Sequence, residues 1–546
     1  MSSLNSSTVS IGKLFSEDFF FAVPNYQRPF RWDHDQISDL IDDLLNANRD
    51  NDYFLGTLVL HEKEASLFDV VDGQQRLTAL SLLLACVRDL LDSDSDEIQD
   101  MLVQPERKFQ GIPSKPRIAM RETGVYEKLV CANRGTELIE SEDSRTSNVE
   151  QRYRKAVSLY RARLRNLPQK ELRSLMEFIV RRVVVIYLAA PSFEDAFRLF
   201  TVVNDRGKQL RRIDVLKAIN LSPSVISDDS VREEYSRKWE NYEESLGERE
   251  FESLFHALRL IYVQEKPEGD LLDEFQKRIY GRSERVSSGT EFINELGEYV
   301  DLYDALFLSR DYLGETDDNS VYKTLMYSMV NEFRASEWRA CLLAYAHKFK
   351  TERLMDFVYA LERLFVSHWV KGVRKDERYG AYADILKTLS VKKSKPGNVI
   401  ESVGGDMDDV REACKRQNFY GAGFAKYLLV RAEMQSSELL SPREFRPRSI
   451  EHIYPQTPKA DSLWAQEFND RESKDLLHTV GNLVLLSKGK NSSARNKEFL
   501  EKKDVYLKPR VSDYPRSLAI LEHDEWTPAI VQENTEVFAA NILGEL

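Results

Sequence analysis

The rhythm of apolar and polar positions changes along the chain. Residues 54–61 and 67–71 are short apolar runs joined by the polar turn 62–66, and read as two strands. In 77–91 the apolar residues Leu77, Leu80, Leu84, Val87 and Leu91 recur at helical spacing, which predicts a helix. The acidic stretch 92–97 that follows reads as a solvated loop. Residues 183–188, VVVIYL, are β-branched and apolar and predict a buried strand, with a helix over 194–203 and a turn at Gly207. From 222 to 434 the pattern is helical throughout, with amphipathic, aromatic-rich stretches at 250–265, 321–349 and 351–370. Polar breaks at 266–270, 282–290 and 392–398 separate them. After 435 prolines cluster (Pro442, Pro447, Pro455, Pro458), and short strand-like runs are expected to replace long helices. The expected organisation is therefore a mixed domain at 1–221, a helical scaffold at 222–434 and a third domain at 435–546. The fold class is α+β and helix-rich.

Composition narrows the picture. A chain of 546 residues is too long for one hydrophobic core. Its longest apolar run, Val183–Ala190, falls far short of the roughly 20 residues a membrane helix needs. The start of the chain has no basic segment leading into an apolar one, as a signal peptide would. Cys86, Cys131, Cys341 and Cys414 lie far apart and form no CxxC pair, so the expected setting is a reducing cytoplasm. The net charge of −13 argues against a protein coated in nucleic acid. Residues 441–510 reverse that balance, with 14 Lys/Arg against 10 Asp/Glu, so a local grip on DNA is expected there.

That basic stretch holds the first constellation of chemistry. Ile450 to Tyr454 reads as a short strand carrying Glu451 and His452, ended by Pro455 and followed by Gln456. A second strand, 482–486, begins at Asn482, and a helix capped by Asn491 or Ser493 is expected to run through Phe499 to Tyr506. Cutting a phosphodiester requires an activated water, which a neutral histidine supplies near pH 7. It also requires a hard cation on oxygen ligands and a partner that fixes the imidazole tautomer. His452 fits the base, Glu451 and Asn491 the ligands of a Mg²⁺ or similar divalent ion, and Asn482 a group that holds the ring or the loop. Lys490, Arg495 and Lys497 are assigned to DNA contact. A Glu–His pair alone is usually ordinary polar surface; three ordered elements, each with an apolar strand behind it, are harder to produce by chance.

The second constellation lies near the start. Tyr26-Gln27-Arg28-Pro29-Phe30-Arg31-Trp32 is one part and Asp72-Gly73-Gln74-Gln75-Arg76 another; Asn204-Asp205-Arg206-Gly207, with Asp214 and Lys217 after it, is the third. Asp72–Arg76 falls where a strand turns into a helix. Gly73 permits the turn, the open N–H groups of the helix start favour an anion, and Arg76 suits phosphate. Asp72 is a candidate to hold Mg²⁺ or orient water, with Gln74 and Gln75 positioning it. No GxxxxGK[ST] loop occurs. Tyr26, Gln27, Arg28 and Trp32 combine flat faces, an amide and a guanidinium, a mixture suited to sensing a nucleotide or an altered DNA group. Plain core packing is the competing reading for the aromatics.

The stretch EHIYPQ, then GNLVLL, then a downstream Asn and Lys resembles the HNH fold of His-metal finger nucleases. More narrowly, it resembles the C-terminal domain of GmrSD-type (type IV, modification-dependent) restriction enzymes. The YQRPFRW, DGQQR and NDRGKQL elements resemble the N-terminal domain of the same enzymes and of phosphorothioate-sensing nucleases of the SspE type. The resemblance covers about 10–220 and 440–505. It departs at Glu451, where an Asp is common, and at Phe30, where a Tyr is common. It implies a ParB/sulfiredoxin-like domain that hydrolyses a nucleoside triphosphate (GTP, UTP, CTP or ATP), with Asp72, Gly73, Gln74, Gln75, Arg76, Asn204 and Arg206 at the nucleotide. It also implies a ββα-metal HNH domain acting on modified phage or foreign DNA. The expectation is a modification-dependent endonuclease with triphosphatase activity, possible as a homodimer, with no membrane partner. Two rivals are a nucleotide-switched DNA clamp with a weak or inactive nuclease site, and an RNase or toxin.

Overall fold

A computed structural model describes the whole chain except residues 1–4, 25, 122, 141–147, 205–210, 281–285, 446–448, 487–495 and 508–513. It is helix-rich α+β and divides into two compact units, Met1–Ser236 and Arg237–Leu546.

The first unit is built on a six-stranded mixed sheet. Its strand order is Asn5–Ser10, Val183–Ala190, Tyr53–Glu64, Leu67–Asp72, Phe20–Ala22 and Ile118–Ala119. The apolar run Val183–Ala190 pairs antiparallel with Asn5–Ser10 and parallel with Tyr53–Glu64. It is a central strand, and none of its residues is exposed on either face, which accounts for its near-continuous apolar character. The Tyr53–Glu64 and Leu67–Asp72 strands form the expected hairpin, closed by Ser66 with φ 65°. Helix Gln74–Leu90 follows at once and is buried along almost its whole length. It starts three residues earlier than the apolar spacing suggests, because Gly73, at φ 96°, turns strand into helix in a single step. A Cβ on Gly73 would meet a Leu58 methyl at 2.2 Å, so the position also demands the close approach only glycine allows. The acidic stretch 92–97 is not all loop. Helix Ser95–Leu102 begins inside it, because Ile98 and Leu102, four residues apart, bury one face.

In the second unit the expected helices are present, with different punctuation. The 321–349 stretch is two helices, Asp318–Glu332 and Glu337–Phe349, divided at Phe333, whose backbone is extended. Helix Pro396–Ser402 starts within a supposed break, with proline in its first turn, where the missing N–H costs nothing. Aromatic packing around Trp239, Phe251, Phe255 and Phe292 fills one end of the bundle. A fully buried ion pair, Arg431 to Glu362 at 2.9 Å, is joined by the Tyr427 hydroxyl at 2.6 Å. The last segment contains the two expected short strands, Ser449–His452 and Leu483–Leu486, paired antiparallel. It also ends in a 14-residue helix, Pro528–Asn541, which corrects the expectation that long helices stop at 435. This helix packs on Gly481, where a Cβ would lie 2.0 Å from the Val531 carbonyl oxygen. Among the described residues no helix is long and apolar enough to cross a membrane.

Candidate functional site

In the second unit, His452 stands opposite Leu483 in the strand pair and Glu451 opposite Val484. Successive strand residues face opposite ways, so these two neighbours enter different surroundings, and both are buried. Glu451 Oε1 accepts from Lys502 Nζ at 2.8 Å and from the Tyr506 hydroxyl at 3.2 Å. Lys502 and Tyr506 are one turn apart on helix Phe499–Leu507 and so share a face. Lys502 Nζ also donates to the His452 carbonyl at 2.7 Å, tying helix to strand. Burial pushes the Glu451 carboxyl up, opposed by Lys502 and Tyr506, and burial pushes the Lys502 ammonium down.

His452 sits in a ring of polar and aromatic groups. Its Nε2 is 3.0 Å from His478 Nδ1, and its Nδ1 is 3.1 Å from Gln456 Nε2. Tyr420 stacks on His478, rings 5.5 Å apart and 17° from parallel, and meets His452 edge-on at 4.6 Å. Burial, then His478 and Lys502, lower the His452 imidazole to about 4, so it is neutral near pH 7. The Gln456 amide donates to Nδ1 and the other ring nitrogen carries the proton, donating to His478 Nδ1; this is the tautomer chain in which every contact is satisfied.

Asn482 holds the loop rather than the ring. Fully buried, it accepts at Oδ1 from the Tyr454 N–H (2.7 Å) and Trp526 Nε1 (3.2 Å). Its Nδ2 donates to the carbonyls of Tyr454 (3.0 Å) and Leu477 (2.9 Å). The turn that presents Gln456 is thereby fixed to the second strand. Lys497 is exposed at the surface; Lys490, Asn491, Ser493 and Arg495 lie outside the described residues. A hard cation wants several oxygen ligands. Here the Glu451 carboxylate is matched by an ammonium and a phenol, and the groups touching the His452 ring offer nitrogen. Among the described residues no three His, Cys, Asp or Glu side chains gather as a metal-binding group. The described residues alone thus do not fit a Mg²⁺ site at His452.

The first unit gathers its two N-terminal motifs around one cavity of about 330 Å³. Tyr26, Gln27, Arg28, Arg31 and Trp32 line it together with Asp72 through Arg76, Phe197, Phe200 and Asp214. The glutamines are the stitches. Gln27 Nε2 donates to the Val71 carbonyl (2.6 Å), and Gln74 Nε2 to the Arg28 carbonyl. Gln75 accepts from the Arg31 N–H (2.7 Å) and donates to the Pro29 carbonyl (3.2 Å). Gln74 and Gln75 are therefore placed to join the two motifs. Arg28 forks onto Asp214. Arg76 donates to the Thr57 carbonyl at 2.7 Å and lies against Gly56, where a Cβ would stand 2.7 Å from its guanidinium. Burial raises the Asp72 carboxyl, with Arg76 and the Gly73 N–H pulling it back. No side chain caps helix Gln74–Leu90, so its first N–H groups stay open toward the cavity end. Phe30 is core, 5.1 Å from the Tyr153 ring. Tyr26 is largely buried against Phe193, its hydroxyl held un-ionised by burial and by Asp69. Asn204 ends helix Phe193–Asn204, and its side chain and Arg206 lie outside the described residues.

Two family profiles match the sequence over these same regions. Residues 11–221 match the N-terminal domain of GmrSD restriction endonucleases, and residues 405–541 match their C-terminal domain. Together they span well over half of the chain. The chain belongs to the GmrSD restriction endonuclease family. Membership makes it a DNA endonuclease. A search of curated proteins finds no match. The C-terminal match contains the whole His452 surround, including Tyr420 and His478. Tyr420 carries no signal in the sequence, and His478, four residues before Asn482, reads from sequence only as a residue that packs or contacts phosphate. Lys502 and Tyr506 were also missed; their i, i+4 spacing marked a shared face, but nothing in the sequence pointed that face at Glu451.

Proposed function

We propose that this GmrSD endonuclease is modification-dependent, cuts DNA at His452 and binds and hydrolyses a nucleoside triphosphate in the Asp72–Arg76 cavity. The observation that carries the nuclease reading is a buried, neutral His452 whose two ring nitrogens have different partners. Gln456 is exposed and His478 half-buried, so Nδ1 is the nitrogen on the solvent side. A water replacing the Gln456 amide gives its proton to Nδ1 as its oxygen attacks phosphorus and the bridging P–O bond breaks; the leaving oxygen takes a proton from solvent water, and Nδ1 returns its proton to solvent. His478 holds the Nε2 proton and hence the tautomer. A divalent cation, if bound at Glu451, has to displace the Lys502 ammonium.

In the first unit the proposed ligand is an anion with a flat part. Open helix N–H groups and Arg76 suit phosphate, Trp32 and Phe197 suit a base, and Asp72 is the carboxylate that would hold Mg²⁺ with the phosphates. A role of Tyr26, Gln27, Arg28 and Trp32 in sensing is proposed through this same cavity. Gln27 and Arg28 are tied to Val71 and Asp214, so a ligand that moves them moves the helix start. The test is hydrolysis of GTP, UTP, CTP and ATP, and cleavage of modified and unmodified DNA, by wild type, Arg76→Ala and His452→Ala. Loss of hydrolysis in the first variant alone and of cleavage in the second supports the reading; cleavage at the wild-type rate by His452→Ala overturns it.

A further inference from the structure

The second unit contains another cavity, about 280 Å³ in volume, for which the nuclease reading has no use. It lies behind the Leu483–Leu486 strand, walled by Val484, Ile520, Trp526, Val537, Phe538 and Ile542. Its strong cation is Arg516. Nη1 of Arg516 donates to the Leu483 carbonyl at 3.2 Å, and the guanidinium lies 4.9 Å from the centre of the Phe538 ring. The nearby acid, Glu433, partly offsets the Arg516 charge through space, while its oxygens accept from the Arg516 backbone N–H (2.8 Å), the Ser517 N–H (3.4 Å) and the Ser517 hydroxyl (2.7 Å). Among the described residues no carboxylate hydrogen-bonds to the Arg516 guanidinium, so its remaining N–H donors stay available, and Glu522 lines the rim as an exposed residue. A guanidinium with donors to offer, set in an aromatic and aliphatic wall, recognises a planar anion carried on an apolar body.

We propose that this cavity binds a small aromatic or aliphatic carboxylate, with the carboxylate on Arg516 and the apolar body against Trp526 and Ile520. The site is wired to the cutting strand by two hydrogen bonds. Arg516 holds the Leu483 carbonyl, and Leu483 stands opposite His452. Trp526 Nε1 holds Asn482, which in turn fixes Tyr454. A bound carboxylate competes for Arg516 and shifts Trp526, so occupancy changes the cleavage rate; this second step alone rests on the His452 reading.

The test is ligand-observed NMR and calorimetry on the full chain with phenylacetate, indole-3-acetate and hexanoate, each beside its neutral amide. The expected result is saturable binding of at least one carboxylate, tenfold or more tighter than its amide. That binding is expected to be lost in Arg516→Gln and in Ala519→Phe, which keeps the guanidinium and fills the space, and retained in His452→Ala. Circular dichroism and melting temperature establish that each variant is folded. No carboxylate binding, equal binding of acid and amide, or binding that survives Ala519→Phe overturns the proposal. Binding without any change in DNA cleavage overturns the coupling and leaves the site.

Discussion

His452 is buried beside a second histidine and over a lysine, surroundings that all oppose a positive charge on its ring. Its folded value of about 4 lies below the ordinary 6.5. The stability this contributes is therefore fully present above pH 6.5 and lost as pH falls through about 4, because the unfolded chain takes up the proton first. For one group the loss is at most about 3 kcal/mol. Denaturant melts of wild type and His452→Gln between pH 7 and 4 should show the steeper acid loss in wild type; parallel curves would contradict the depressed value. His478 is a positioning residue in this account. His478→Ala should lower kcat by about 10–100-fold, as removal of an orienting partner does, with KM nearly unchanged. It should also move the acid limb of the kcat/KM profile upward, because one source of the depression is gone. A KM effect alone would make His478 a DNA contact. The loop-holding role of Asn482 was legible from residue type and order. The His478 contact was not, because residues 26 apart in sequence meet only once the strand and loop are folded.

At the scale of elements, the strand pair and helix Phe499–Leu507 form a frame around Glu451. The Lys502 ammonium is fully buried between the Glu451 carboxylate and the His452 carbonyl. Removing one partner of a buried pair leaves an uncompensated charge and typically costs about 3–5 kcal/mol. Lys502→Ala should therefore lower stability by that order, and Lys502→Met with Glu451→Gln should recover much of it. A Lys502→Ala variant as stable as wild type would show that the pair does not hold the frame. The strands were legible because a short apolar run bounded by turn residues has few alternatives. Two boundaries were misplaced for physical reasons: Gly73 starts a helix without a side-chain cap, and the Phe333 break carries no proline or glycine. The pairing of Glu451 with Lys502 depends on which way a strand residue faces, and periodicity leaves that open for a four-residue strand.

For the whole molecule, the two proposed chemistries lie in different units, each with its own set of polar groups. Arg76→Ala or Asp72→Ala should abolish triphosphate hydrolysis with little change in melting temperature, since the core of the first unit is formed by Leu77, Leu80 and their neighbours. Collapse of the melting temperature would make Asp72–Arg76 a structural turn. The mixed fold and the motifs at both ends were legible; the convergence of two N-terminal motifs on one cavity was not, since it depends on glutamine side chains reaching backbone more than 40 residues away. The most direct measurement of cutting at His452 is cleavage of modified DNA by wild type and His452→Ala under identical nucleotide and cation conditions, with triphosphate hydrolysis followed in the same samples. His452→Ala is expected to lose cleavage by about 10²–10⁴-fold, as loss of a general base does, while hydrolysis continues. Cleavage by His452→Ala at the wild-type rate would contradict cutting at His452.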